Sequence, residues 1–311
     1  VIGVYLPAPS SELDNFEIRK VMILNDQDLV IREADEKDRE GLAKLLQKGS
    51  FTHRHLSWLP PLDWLGKQPY LVLERNLRII AALACPPDED GGTWLRLFAV
   101  SPGLSIHRAW RALWPPALAR LQDKIAVQQV NALVVQKQML SLLPNSGFQE
   151  GDQVVVLVWD ISQACWPDQT EKVLIRDMLR DDFLRIYEID QVSFEPIWRN
   201  SLGHIKIAYQ EASSASVAML NDRLVGYQIS TINPQGGHLA RLAVDPEYQK
   251  LGIGTALVED LLDRFQRQGI VQVTVNTQAR NLPSLEIYKK FGFTLLDEFY
   301  PVFHYNLDRS R

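Results

Sequence analysis

Gly252 and Gly254 follow Gln249 closely, at the point where a strand pattern gives way to a helical one. Leu239, Leu242 and Val244 are strand formers, and Asp245-Pro246 turns the chain. From Ile253 the apolar residues take helical spacing through Leu257, Leu261 and Phe265, with Val258 and Leu262 beside them. A helix start exposes backbone N–H groups that no intrahelical carbonyl satisfies, and its dipole favours an anion. Glycine lets that backbone approach a phosphate with no Cβ in the way. The turn therefore reads as a phosphate cradle built from main-chain amides. Rival nucleotide motifs fit badly: there is no G-x-x-x-x-G-K-[ST] and no third glycine at dinucleotide spacing.

Downstream, a second strand over 272–277 precedes Asn281, Ser284, Tyr288 and then Phe291-Gly292-Phe293. Taken together, Q-x-x-G-x-G after a Val-Asp-Pro strand end and N-x-x-S-x-x-x-Y followed by G-F resemble the GCN5-related N-acetyltransferases, the GNAT family. Ser284 stands where that family usually has Ala. Around 270–293 the chain resembles the peptide N-terminal acetyltransferases of the RimI type. The resemblance implies a mixed-sheet α/β fold and acetyl-CoA as co-substrate. Main-chain groups of Leu242, Ala243 and Val244 would pair with the pantetheine arm. Gln249 and the amides of Leu251, Gly252, Ile253, Gly254 and Thr255 would surround the pyrophosphate. Lys250 adds a nearby positive charge or is a solvated helix-start lysine. Asn281 bonds the co-substrate, caps its helix, or does both. Tyr288 is the candidate general acid for the departing thiolate, a task suited to a phenol with a proton to give; without the motif it would be a packing residue.

The general base departs from the family pattern. RimI-type enzymes carry a glutamate on the second strand, and counting back from Tyr288 that position is Asn276, which accepts no proton usefully. His238 is the substitute candidate, directly or through water; its plain reading is a solvated loop histidine. Glu195, Trp198, Tyr300 and His304 fall where acceptor pockets form in the family, and Glu195 could hold a cationic amine.

Composition bounds the function. The chain has 311 residues, enough for two ordinary domains, and 46% hydrophobic and 23% charged residues suit a soluble globular protein. A net charge of −5 argues against a nucleic-acid backbone as main partner, and no apolar run is long enough to span a membrane. Cys85 and Cys165 are far apart, outside C-x-x-C spacing, so neither a disulfide framework nor a metal site is expected and a cytoplasmic setting is. Residues 1–9 are apolar but short and lack a basic start, so they do not read as a signal peptide.

The pattern occurs twice. Val30-Ile31-Arg32 recurs as Leu174-Ile175-Arg176, Asp38 as Asp182, and 95–102 as 239–246, all at an offset of 144 residues. Ser146-Gly147-Phe148 recurs as Phe291-Gly292-Phe293 at 145. The expected organisation is an extension over 1–29, a first domain over 30–161, a linker over 162–170 and a second domain over 171–311. In the first copy Gly252 and Gly254 become Arg108 and Trp110, Gln249 becomes Ser105, Tyr288 becomes Leu143 and Asn281 becomes Gln136. The first copy is thus degenerate, with Trp110 expected to fill the pyrophosphate space, unless Arg108 replaces the loop with a side-chain contact.

In order, the first copy should have a strand at 30–32 and a helix over 38–46. An irregular helical region around Trp58 and Trp64 follows, then a hairpin over Arg75-Asn76 and a strand over 94–100. A helix over 108–126 should be kinked by Pro115-Pro116, before strands at 130–135 and 154–159. The second copy should have a helix over 198–205, a hairpin over Asn221-Asp222, and two last strands at 294–299 and 302–307. The layout resembles mycothiol synthase. The leading reading is an acetyl-CoA-dependent N-acetyltransferase acting on a small-molecule or peptide amine; the alternative is a non-catalytic acyl-CoA sensor.

Overall fold

A computed structural model describes residues 29–89, 92–124, 126–167 and 173–307. The expected N-terminal extension, apart from Leu29, and the end of the expected linker lie outside the described residues. The elements are β1 (Leu29–Glu33), α1 (Arg39–Lys48), β2 (Phe51–Arg54), β3 (Tyr70–Arg75), β4 (Arg78–Ala84), β5 (Leu97–Val100), α2 (Ile106–Gln122), β6 (Gln129–Leu133), α3 (Met139–Leu142) and β7 (Gln149–Asp160). There follow β8 (Leu174–Asp177), α4 (Phe183–Ser193), α5 (Leu202–Glu211), β9 (Ser214–Leu220), β10 (Arg223–Asn233), β11 (Gly236–Val244), α6 (Ile253–Arg267), β12 (Gln272–Gln278), α7 (Leu282–Lys290) and β13 (Thr294–Asn306).

The described chain divides into two compact units. The N-terminal unit comprises 29–55, 59–149 and 303–307; the C-terminal unit comprises Leu56–Trp58 and 150–302. This differs from a cut in the expected linker. Strand β7, last in the first copy, lies in the C-terminal unit, antiparallel to β12 from Gln272↔Asp160 to Gln278↔Val154. The last residues of the second copy belong to the N-terminal unit, where Leu307 N–H donates to the Gln128 carbonyl at 2.9 Å. Each copy thus gives up its last strand segment. Nothing local in a strand's sequence names its neighbour, so periodicity could not reveal this.

In the C-terminal unit the strand order is β13-β7-β12-β11-β10-β9-β8. One core cluster, from Leu239 and Leu242 to Leu261, Phe265, Tyr288 and Phe293, includes residues of α6 and α7. Another, including Ile186, Ile205, Tyr227 and Ala243, includes residues of α4 and α5, with Trp58 packed on it. The apolar line through Leu257, Leu261 and Phe265 is buried, as the spacing requires.

Several boundaries differ from expectation. Helix α2 runs through Pro115 and Pro116 unbroken; the buried row Trp110, Leu113, Trp114, Ala117 and Leu121 holds it in the core. The helix expected over 198–205 is α5, capped by the Ser201 hydroxyl, which accepts from the His204 N–H at 3.2 Å; Trp198 ends a short 3-10 turn before it. The two last strands are one, β13. Both hairpin turns use paired left-handed residues, Asn221-Asp222 as expected and Asn76-Leu77 one residue later than expected.

Candidate active site

Strand β11 is paired with β10 up to Val244↔Gly226. Its parallel pairing with β12 covers only Gly237, His238 and Leu239. Beyond Leu239 the two strands part, leaving one edge of β11 without a strand partner. The Asp245 N–H donates to the Val225 carbonyl in the β10 ladder. By the alternation of an antiparallel pair, Ala243 also turns its main chain toward β10, while Leu242 and Val244 turn theirs toward the gap. Ala243 is therefore the weakest of the three expected pantetheine contacts. The Val244 carbonyl accepts from Ser193 Oγ at 3.1 Å and Gln249 Nε2 at 3.2 Å. The Gln249 side chain thus braces the end of the strand.

The gap leads to the glycine turn. Lys250 and Gly252 both adopt left-handed φ, 65° and 80°. A left-handed lysine is strained by about 1 kcal/mol or more, a cost that clusters at ligand sites. Gly252 is the N-cap of α6 and supplies no side-chain cap; the Ala256 N–H already takes the Gly252 carbonyl. The amides of Ile253, Gly254 and Thr255 precede that first intrahelical bond, the position that suits a diphosphate. Gly254 has a second reason to lack a side chain: a Cβ there would meet Ile287 Cδ1 of α7 at 2.9 Å.

Tyr288 on α7 is fully buried, 5.4 Å from the Phe293 ring. Among the described residues its hydroxyl has no hydrogen-bond partner. Burial raises its pKa well above the ordinary phenol value, so it stays protonated. A buried hydroxyl without a partner costs free energy that a bound acceptor atom would recover. The open strand edge, the uncapped turn and this hydroxyl all fit a bound thioester carrier.

The remaining candidates separate. Asn281 caps α7, its Oδ1 accepting from the Ser284 N–H at 3.3 Å and its Nδ2 donating to Thr277 Oγ1 at 3.2 Å. His238 is not a solvated loop residue: it is buried in β11 with Nδ1 2.9 Å from Thr274 Oγ1, within the paired triplet where the strands begin to part. Strand β12 covers it, pairing His238 with Thr274. Asn276 is buried on β12 opposite Val156. Glu195 is bound to Arg280 at 2.7 Å, so its charge is already answered. Tyr300 donates to Glu298 at 3.2 Å, and His304 falls in the N-terminal unit.

Sequence reasoning missed a buried charge network beside the gap. Arg241 donates to Asp190 Oδ2 from Nε at 2.8 Å and Nη2 at 2.6 Å, and to the Trp198 carbonyl at 2.8 Å. Tyr227 donates to the same carboxylate, and the Asn200 N–H to its other oxygen at 2.7 Å. The Arg241 guanidinium lies 3.5 Å over the Phe194 ring. Burial works against the Arg241 charge, yet Asp190 holds its pKa above the usual value; burial and Asp190 together raise Tyr227. The network fixes the segment 194–200 between α4 and α5. The signal was an arginine inside the apolar run 239–244.

The N-terminal unit meets the same opening differently. Trp94 bridges Asn131 of β6 in parallel, the counterpart of His238 beside Thr274. Beyond it, β2 pairs antiparallel with β5 from Arg54↔Leu97 to Phe51↔Val100. A strand of the protein itself occupies the edge that β11 leaves open. Trp110 is not the obstacle expected: it points into the core, 5.2 Å from Phe98, with Nε1 donating to Ser146 Oγ at 2.8 Å.

The sequence profile of the acetyltransferase (GNAT) family matches residues 177–293, which hold the gap, the turn and Tyr288. Over those residues the chain is similar to the GNAT acetyltransferase family. It is 30% identical over 84 residues to the [ribosomal protein bS18]-alanine N-acetyltransferase of Escherichia coli K12, a match covering 26% of this chain and 57% of that one. It is 33% identical over 81 residues to the mycothiol acetyltransferase of Arthrobacter sp. FB24, covering 24% and 25%. A GCN5-related N-acetyltransferase structure from Sphaerobacter thermophilus shares the fold with TM-score 0.63 at 16% identity, over 93% of this chain and 98% of that one. A tandem GNAT protein from the clavulanic acid pathway does so with TM-score 0.60 at 15%, over 91% and 99%. The GNAT fold likeness therefore extends across both units. No helix among the described residues is long and apolar enough to cross a membrane.

Proposed function

We propose that the protein is an acetyl-CoA-dependent N-acetyltransferase whose C-terminal unit transfers an acetyl group to a primary amine by direct attack in a ternary complex. The observation that carries this is the parting of β11 from β12 after Leu239, ending at an uncapped helix start. Leu242 and Val244 would hold the carrier's arm as an added strand, and the amides of 251–255 its diphosphate. Lys250 would add a charge beside it. The Tyr288 hydroxyl would give its proton to the departing sulfur, and burial keeps that proton in place until then. With Nδ1 bonded to Thr274, proton acceptance by His238 falls to Nε2. Positioning of the two reactants carries much of the rate.

The acceptor is a small-molecule or peptide amine; the partial likeness to a ribosomal-protein and a mycothiol enzyme supports both classes. An acetyl-CoA-dependent enzyme of this kind would work in the cytoplasm. One observation favours the second reading, an acyl-CoA sensor: no carboxylate stands at Asn276. Mixing the protein with acetyl-CoA, a thiol reagent and a panel of peptide N-termini and small amines decides between them. Release of free thiol with at least one amine is expected, and tight binding without release from any amine would favour the sensor.

A further inference from the structure

The N-terminal unit carries a groove of about 600 Å³ between α1 and the tip of the β3–β4 hairpin, closed at one end by Ser101 and Pro102. The repeat explains why it is there. In the C-terminal unit the same place is filled by Arg185, which donates to the Leu224 carbonyl at 3.2 Å and pairs with Asp245. At the offset of 144 residues Arg185 becomes Gly41 and Asp245 becomes Ser101. Both halves of the filling ion pair are gone, and the space has opened.

The lining has also changed sign. Asp181 and Glu188 of the second copy become Lys37 and Lys44 in the first, while Arg78, first residue after the hairpin turn, matches Arg223 and keeps its charge. Lys48 adds a fourth cation where the second copy has Val192. Lys44 is paired with Glu40 at 2.6 Å on the exposed side of α1, while Lys37, Lys48 and Arg78 have no ion-pair partner among the described residues. The groove's own carboxylates, Asp38 and Glu74, are both bound to Arg32 at 2.6 Å. The uncompensated charge is therefore positive. Leu45, Ile79 and Pro102 supply apolar surface.

We propose that this groove binds a multiply charged small-molecule anion with an apolar end, the chemistry of a nucleoside polyphosphate. Lys37 and Lys48 are separated by roughly 16 Å along the helix direction, too far to serve one phosphate and suited to an extended charged tail. Arg78 faces them from the hairpin, and its planar donor fork suits phosphate oxygens. The volume is that of a small-molecule site, and the apolar lining suits a flat ring. The site is distinct from the β11 gap and independent of the acetyl-transfer proposal.

The test is calorimetric titration of the full chain with ATP, repeated in two variants. Gly41→Arg/Ser101→Asp rebuilds the filling pair, and Lys37→Asp/Lys44→Glu restores the second copy's charges without adding bulk at Gly41. ATP is expected to bind the native chain, weaken at least tenfold in both variants and weaken with added salt, while acetyl-CoA binding stays unchanged. No ATP binding at millimolar concentration, or binding that neither variant affects, overturns the proposal. Binding of a glutamate-rich peptide, with the same sensitivity to the variants and none of ATP, would overturn it in favour of a protein partner.

Discussion

Tyr288 shows how much one residue's environment says beyond its spacing. The motif named it, but only burial and an unanswered hydroxyl make it chemically poised. Tyr288→Phe keeps the ring and its packing on Phe293 and removes the proton. Turnover should fall about 10²- to 10⁴-fold while the dissociation constant for acetyl-CoA stays within about threefold, measured by steady-state kinetics and calorimetry. Because burial raises the hydroxyl's pKa, the proposed transfer by the native protein should show no loss of rate from this group up to pH 10, its ordinary value. A comparable loss of binding in Tyr288→Phe would make the tyrosine structural. The Asp190–Arg241–Tyr227 network makes the opposite point, since its partners are too distant in sequence to be read as a motif. At the matching positions the first copy has Leu46, Leu97 and Ala82 instead. Arg241→Leu alone strands a buried carboxylate and should cost about 3–5 kcal/mol in urea unfolding. Replacing all three by leucine should recover much of that stability, yet leave acceptor KM raised because 194–200 is no longer held.

At the scale of elements, the strand that distinguishes the two copies is only four residues long. Phe51-Thr52-His53-Arg54 has no strong strand signature, and its place is set by the free edge of β5 rather than by propensity. By contrast α6, β11 and the hairpin at Asn221-Asp222 were legible, because helical periodicity, an apolar run and left-handed turn residues are local signals. His53 makes the β2 plug sensitive to acid. It is fully buried, and desolvation lowers its pKa from 6.5 to about 4. The folded unit keeps it neutral while the unfolded chain takes up a proton below 6.5. Its share of stability is therefore complete above pH 6.5 and declines as pH falls toward 4, by about 3 kcal/mol in all. His53→Gln should flatten that dependence between pH 4 and 6.5, read by thermal unfolding at fixed salt. An unchanged slope would place the sensitivity in other groups.

The whole molecule is a duplication whose halves are not separable at the linker. Strand β7 completes the sheet beside β12, and Phe303 and Leu307 complete the core around Trp110, Trp114 and Phe148. Trp114 and Phe148 both touch Tyr305, with ring centroids 5.5 and 5.4 Å away. The second copy thus supplies part of the first unit's interior, although the linker-based division assigns those residues elsewhere. Phe303→Ala removes a ring that is 4% exposed and should destabilise the N-terminal unit by about 3–5 kcal/mol. Hydrogen exchange should locate the loss in α2 and β6, far away in sequence. On the proposed function, the same duplication sets the ligand count: the open edge on β11 would give one place for a pantetheine arm, and β2 fills the matching edge of β5. Acetyl-CoA should therefore titrate to one site per chain, and Gly252→Val, which forces a branched side chain into left-handed φ at the turn, should abolish that single site. A second equivalent in the native chain would mean that β2 leaves the β5 edge when the carrier arrives. Because loosening β2 costs less as His53 becomes protonated, such a site would strengthen toward pH 5; titration at pH 5 and pH 7.5 separates one permanent site from two.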